Sequence, residues 1–309
     1  MRKTRLDVLL ETRGLTESRN QAQRLIMAGR VRVNGQVAIK PATMVTPEAN
    51  LGVEKSPRFV SRGGEKMEAA LQAFRIDITG RVCADVGVST GGFTDCLLQH
   101  GASKVYAIDV GKGILHWKLR KDSRVVVMEA TNARYVEKLP EAVSLVVIDA
   151  SFISLKILLP VIKQWLGPNL PFPPSLEVKE SEGGISYVIA LIKPQFEAGR
   201  ADTARGGGVI RDPAIHRQVL LDVLAFAQNE GFGLCGLIRS PLLGPKGNVE
   251  FLVWLVYPDH TRKGRAMILK HFDKLIERMA KQNAAYPEAE AVSNVETTVQ
   301  EVRRARKKC

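Results

Sequence analysis

The sequence predicts an α/β protein with a doubly wound, mostly parallel sheet of seven strands behind a small α+β module. Three observations predict it. Seven short apolar runs, "VCADVG", "VYAID", "VVVM", "LVVID", "VIALIK", "LCGLIRS" and "EFLVWLVY", alternate with helical patterns. The last two runs are separated only by "PLLGPKGNV", too short for a helical crossover, so the final strand is expected to run antiparallel. Ahead of the sheet, two short helix patterns and an Asn34-Gly35 turn form a unit of about 60 residues.

Taken in order, Thr4 with Asp7 three residues on marks a first helix carrying Leu6, Leu9 and Leu10. Thr16 is expected to cap a second helix to about Ala28, with Ala22, Leu25 and Ile26 inward and Gly29 ending it. "RVRVNGQVAIK" then alternates around Asn34-Gly35 as a two-residue hairpin. Arg13, Arg19, Arg24, Arg30 and Arg32 lie outside the apolar positions. A solvated face explains them, but so many arginines on so small a unit favour phosphate contact. "PRFVSRGG" reads as a linker.

Within the sheet region, a helix with inner stripe Met67, Ala70, Leu71 and Phe74 precedes the first strand. Asp212-Pro213 opens a later helix and Gly231 closes it. The segment 167–184 holds four prolines and reads as an inserted surface loop. After Pro258 a basic helix is expected to about Lys281, followed by a polar, disordered tail. The expected division is therefore 1–58, a linker at 59–64, a catalytic domain at 65–260, and the basic helix and tail at 261–309.

Composition narrows the function classes. The chain has 309 residues, 45% hydrophobic, enough for a real core. No apolar run reaches the ~18 residues of a membrane helix, and the basic N-terminus lacks the apolar stretch of a secretory signal, so no membrane association is expected. Cys83, Cys96, Cys235 and Cys309 are scattered, which suits a reducing cytoplasm. The five histidines form no ligand cluster, so no metal is expected. The net charge of +13 is uneven: +6 over residues 1–60, +6 over 261–309, and only +1 between. A near-neutral body between two basic ends suggests a polyanion partner.

The stretch "DVGVSTGGFTD" at 85–95 admits four readings. A phosphate loop requires a lysine after the glycines, and none follows. A dinucleotide loop requires glycine where Ser89 stands. A hydrolase nucleophile elbow fits "GVSTG", with Ser89 as nucleophile and Asp149 and His216 or His260 as partners. Against it, Ser89 follows the first strand of its domain, and Asp85 would repel a developing oxyanion. The fourth reading is S-adenosylmethionine, whose cationic groups make Asp85 an asset. Gly87, Gly91 and Gly92 then allow backbone close to the ligand. Asp109 ends the second strand of the sheet, placed to accept both ribose hydroxyls. This spacing distinguishes adenosine ligands poorly, and Asp109 can equally be a turn residue.

Asp149 and Lys193 end strands, and Glu250 begins the antiparallel one. All three fall at the carboxyl edge of the sheet, where such folds place ligands. Lys66, in the first turn of its helix, adds a second amine. The four can be a catalytic set or a structural ion-pair network.

Residues 4–50 resemble the small RNA-binding module of ribosomal protein S4 type, through "RLDVLL", "SRNQAQRLIMAGRVRVNG" and the hairpin. From Phe59 to Pro258 the chain resembles the FtsJ-like 2′-O-methyltransferases. With the module attached it resembles the TlyA family of rRNA 2′-O-methyltransferases, also called haemolysin A. "FVSRGGEKMEAAL", "DVGVSTGGFTDCLLQHGASKVYAIDVG", "DASFISL", "LIKPQFE", "GGVIRDPAIH" and "GNVEFLVW" carry that resemblance. It implies a Rossmann-like methyltransferase sheet, S-adenosylmethionine as cofactor, and cytidines of ribosomal RNA or ribosomal subunits as target. It places the catalytic set on Lys66, Asp149, Lys193 and Glu250. The cofactor loop falls on Asp85 to Phe93, including Gly87, Ser89, Gly91 and Gly92. Asp109 is assigned to the ribose and Asn132, in "EATNAR", to the adenine. The insert and the tail depart from the family pattern.

The chemistry expected is methylation of a weakly acidic ribose hydroxyl, with Lys193 nearest the oxygen and Asp149 and Glu250 orienting the two amines. The rivals are a membrane-active cytolysin, with 262–281 as its candidate amphipathic segment, and a non-catalytic RNA-binding assembly factor. The intact four-residue set argues against the second. Oligomeric state and the nucleotide modified are open.

Overall fold

The computed structural model describes residues 3–54, 57–167 and 185–258. The chain divides into two compact units, Met1–Arg58 and Phe59–Cys309.

In the first unit, β1 (Thr4–Arg5) leads into α1 (Leu6–Thr12) and α2 (Arg19–Met27). Then follow β2 (Val31–Val33), β3 (Gln36–Ala38), β4 (Met44–Val45) and β5 (Leu51–Val53). The β2–β3 hairpin turns at Asn34 and Gly35, both with positive φ (50° and 84°), the geometry that this dipeptide favours. β5 joins β2 on its other side, and β1 pairs with β4. Leu6, Leu10, Ala22, Ile26 and Val31 are fully buried between them. Two expectations are corrected. Thr4 lies in β1 rather than capping a helix, because residues 4 and 5 pair with Val45 and Met44. Ser18, not Thr16, caps α2: its hydroxyl accepts the Gln21 N–H at 3.2 Å, while Thr16 is buried.

The second unit runs α3 (Gly63–Phe74), β6 (Val82–Val86), α4 (Gly92–Gln99), β7 (Lys104–Ile108), α5 (Trp117–Arg120), β8 (Val125–Met128), β9 (Leu145–Ile148), α6 (Leu155–Ile162) and β10 (Ser186–Ile192). It continues with α7 (Pro194–Glu197), α8 (Arg200–Arg205), α9 (Pro213–Asn229), β11 (Gly233–Arg239) and β12 (Phe251–Tyr257). The seven strands form one sheet in the order β11-β12-β10-β9-β6-β7-β8. β12 runs antiparallel between β10 and β11, while β10, β9, β6, β7 and β8 are mutually parallel.

Alternate strand residues feed two cores, as a sheet covered on both faces requires. Val86, Ile108, Val146, Ile148 and Ile192 pack under α6 and α9. Cys83, Val105, Val147, Ile189 and Leu191 pack under α3 and α4. Residues 59–64, expected as a linker, belong to the second core. Phe59 is buried against Gly64, Val60 N–H donates to Asp95 Oδ2 at 2.8 Å, and α3 begins at Gly63. The prolines of the expected insert, the basic segment 262–281 and the tail lie outside the described residues.

Candidate active site

The sheet brings the expected charged set to its carboxyl edge. Asp149 follows β9, Lys193 follows β10, and Glu250 precedes β12. The β10–β12 register pairs Ile192 with Phe251, so Lys193 and Glu250 leave adjoining strands at the same level. Lys66 enters from the first turn of α3.

The four side chains form two ion pairs. Lys66 Nζ lies 2.6 Å from Glu250 Oε2, with both side chains nearly removed from water. Lys193 Nζ lies 2.6 Å from Asp149 Oδ1, 2.9 Å from Ser151 Oγ and 3.3 Å from the Asp149 carbonyl oxygen. Gln195 Nε2 donates to Glu250 Oε1 at 3.4 Å, linking the Lys193 loop to the other pair. Sequence reasoning missed Ser151 and Gln195, although both stand inside motifs it had singled out. Gly244 was also missed. A Cβ there would meet Glu250 Oε1 at 2.5 Å, so a larger residue must displace the end of that side chain.

The glycine loop abuts the Lys193–Asp149 pair. Gly87 has φ +84°, and a Cβ on it would lie 2.8 Å from the Asp149 carbonyl oxygen. Gly91 is the left-handed N-cap of α4, and Gly92 seats that helix against Gly63 and Gly64 of α3. Asp85 is fully buried. Its Oδ2 accepts the Thr94 hydroxyl at 2.6 Å, and its Oδ1 has no partner. Burial pushes the Asp85 carboxyl up to about 7, opposed by the Thr94 hydrogen bond and reinforced by Asp149. Asp109 accepts the Ser89 N–H on Oδ2 (2.8 Å) and the Gly111 N–H on Oδ1 (2.7 Å), leaving further lone pairs on both oxygens. Val110 beside it is 69% exposed. Asn132 begins the turn after β8, its Oδ1 accepting the Arg134 N–H at 3.1 Å. Phe93 is buried in the core beside Gly63, so its ring serves packing.

This donor set fits S-adenosylmethionine. The orphaned Asp85 oxygen supplies negative potential for a cationic ligand. The Gly87 cradle supplies close backbone, and Asp109 supplies acceptors for a ribose. The nucleophile elbow loses one of its two candidate partners. Ser89 does have the elbow's positive φ of 49°, but His216 is fully buried, with Nε2 3.0 Å from the Ile210 carbonyl oxygen. His260 lies outside the described residues.

A cavity of about 610 Å³ opens beside Gln195, lined by Arg134, Phe152, Ile153, Phe196 and Gly208 among others. Phe152 is 90% exposed, with φ +63°, and its ring centroid lies 4.9 Å from that of Phe196. Glu197 ties the two loops that carry the site. It accepts the Ser154 hydroxyl at 2.5 Å and the Leu155 N–H at 2.7 Å.

Residues 59–257 match the family model of the FtsJ-like methyltransferases. The chain belongs to that family. Residues 4–51 match the S4 domain. The FtsJ-like chain is 42% identical to the 16S/23S rRNA (cytidine-2′-O)-methyltransferase TlyA of Mycobacterium tuberculosis, across 90% of its own length and 97% of that protein. It is 40% identical to Hemolysin A of Brachyspira hyodysenteriae, over 82% and 99% of the two chains. A solved structure from Streptococcus thermophilus carrying the hemolysin name matches with a TM-score of 0.62 and 39% identity, over 92% and 97%. Among the described residues, no helix is long and apolar enough to cross a membrane.

The five arginines of the S4 domain do not form one set. Arg13 donates to the Ala49 and Pro47 carbonyl oxygens, and Arg19 donates to the buried Asp7 at 3.0 Å. Arg32 donates to Glu54 at 2.9 Å. All three are exposed and bond to partners within their own domain. Arg24 stands exposed on α2, and Arg30 is half-buried.

Proposed function

We propose that this protein transfers a methyl group from S-adenosylmethionine to the ribose 2′-hydroxyl of cytidines in ribosomal RNA, in the cytoplasm. The observation that carries the reading is the pair of ion pairs, Lys66–Glu250 and Lys193–Asp149, beside the glycine loop. The identity to TlyA supports the rRNA and cytidine assignments.

S-adenosylmethionine supplies a methyl group already activated on a sulfonium. Asp109 would hold the ribose of that molecule, Val110 would cover one face of its adenine beside Asn132, and the loop from Asp85 to Gly92 would hold the methionine end. Lys193 would meet the RNA hydroxyl. Asp149, Ser151 and the Asp149 carbonyl fix its Nζ. Once the ammonium has passed one proton to Asp149, the neutral amine would take the hydroxyl proton as the methyl leaves sulfur and bonds to oxygen. Glu250 and Gln195 hold Lys66 as a fixed positive charge beside the developing oxyanion. The cavity between Phe152, Phe196 and Arg134 is large enough for a nucleoside. Alignment of oxygen, methyl and sulfur supplies much of the rate.

Mapping 2′-O-methyl groups on rRNA from cells with and without the protein tests the reading. A cytidine that loses its ribose methyl in the deletion and regains it with the wild-type gene is the expected result. Unchanged maps refute it. Leakage from liposomes without any methylation would favour a cytolysin.

A further inference from the structure

Every exposed large apolar side chain among the described residues of the second unit follows a carboxyl strand end. Val110, Ile114 and Trp117 follow β7, Tyr135 follows β8, and Phe152 and Ile157 follow β9. Among the described residues, the opposite edge of the sheet shows none. Trp117, at 67% exposure, has no part in the reaction derived above.

The segment that carries Trp117 is anchored on one side and bare on the other. Leu115 and Leu119 are buried against the glycine loop, and a Cβ on Gly91 would stand 2.2 Å from Leu119 Cδ1. His116 N–H donates to the Thr90 carbonyl oxygen at 3.2 Å. Arg120 Nη2 lies 2.5 Å from Glu129 Oε1, which also accepts the Gly113 N–H. These contacts fix the ring's position next to the cofactor loop. Outward, Lys121 Nζ lies 5.5 Å from the Trp117 ring centroid, and Lys118, mostly exposed, reaches Asp95 at 3.5 Å. Residues 110–124 hold five Lys/Arg and one Asp, a net +4, so the rest of 61–260 is net −3. The aromatic plane therefore sits in a locally cationic segment, while the other described residues of 61–260 balance to zero net charge.

A rigid exposed ring with ammonium groups beside it is the arrangement that stacks on an unpaired base and holds its phosphates. We propose that Trp117 stacks on an unpaired nucleobase of the RNA substrate, outside the reaction cavity, with Lys118 and Lys121 on the adjoining phosphates. The proposal rests on the RNA-methyltransferase reading and adds a second, non-reacting contact to it. The net positive charge of the segment that presents the ring favours RNA over a protein partner.

The chain's three tryptophans make the test direct. Trp165 and Trp254 are 2% and 1% exposed, so Trp117 dominates the solvent-accessible emission. Full-length protein is titrated with single-stranded oligocytidylate and with deproteinised rRNA, following tryptophan emission and its quenching by acrylamide. Saturable quenching by RNA and protection from acrylamide are expected. Trp117→Ala should weaken RNA binding about tenfold, and Trp117→Phe should restore most of it. Lys121→Ala should lower the salt slope by about one. S-adenosylmethionine affinity should stay at the wild-type level in all three. RNA binding that leaves the emission unchanged overturns the proposal. So does a Trp117→Ala protein that loses cofactor affinity but keeps RNA affinity, or one that changes only its oligomeric state. If Trp117→Ala binds and methylates RNA normally, this contact fails while the function stands. If wild-type protein binds no RNA, both fall.

Discussion

Lys66 Nζ and Glu250 Oε2 lie 2.6 Å apart although 184 positions separate the residues in sequence. One comes from the helix before the sheet and the other from its last strand, so the ion pair closes the site only when the whole unit is folded. Removing one partner strands a buried charge, which costs ~3–5 kcal/mol. Glu250→Ala should therefore lose about that much stability in urea unfolding. The double variant Lys66→Met/Glu250→Leu should recover most of it and remain inactive. A double variant with near-normal methylation would remove the pair from the mechanism.

Gly244 touches the same carboxylate from the opposite side. Gly244→Ala places a methyl 2.5 Å from Glu250 Oε1 and must push it off Lys66 or Gln195. Turnover should fall at least ~10-fold with little change in S-adenosylmethionine affinity, read by steady-state kinetics and calorimetry. Unaltered kcat would show that Glu250 moves freely.

Asp85 makes a pH prediction. Its carboxyl titrates near 7 in the folded, ligand-free protein, against an ordinary value of 3.8, chiefly because it is buried. Its contribution to stability is thus full below about pH 4, lost as pH rises to about 7, and constant above. Unfolding measured across that window should show this slope, and Asp85→Asn should flatten it. A cationic ligand favours the ionised form. Binding of S-adenosylmethionine below about pH 7 should therefore release a proton and strengthen as pH rises. Calorimetry in buffers of different ionisation enthalpy reads the release, and no buffer dependence would contradict it.

In the S4 domain, Arg24→Ala should weaken RNA binding and lower the salt slope by about one, leaving stability within ~0.5 kcal/mol. Arg19→Ala should instead cost up to about 1 kcal/mol of stability by removing one of the donors to the buried Asp7, with Arg5 and Gln23 remaining. Asp7 is held well below the usual carboxylate range, first by Arg5 and also by Gln23 and Arg19. Its stabilisation is present above about pH 4 and lost as pH falls further. Filter binding across salt concentrations and urea unfolding separate the two arginines.

The sheet was legible because each strand is a buried apolar run and the gap before Phe251 is too short for a crossover. Asp149, Lys193 and Glu250 were legible for the same reason, since strand ends locate side chains. The insertion of β12 between β10 and β11 was not, because pairing partners leave no mark on spacing. Ser18 was missed as a cap because Thr16 has the same chemistry two positions earlier, and only packing decides between them. Ser151, Gln195 and Gly244 escaped because their roles depend on contacts across loops. The arginines of the first unit read as one class by charge. Arg13, Arg19, Arg24 and Arg32 are all exposed, and partners rather than burial tell them apart: Arg13, Arg19 and Arg32 bond within their own domain.

Lys193, held by Asp149 and Ser151 and acting as its neutral amine, is assigned the hydroxyl proton as the methyl is transferred. Single-turnover methylation of rRNA by Lys193→Ala, with S-adenosylmethionine affinity measured alongside, tests it most directly. The rate should be at least ~100-fold lower, with cofactor affinity essentially retained. A rate within a few-fold of wild type would contradict it.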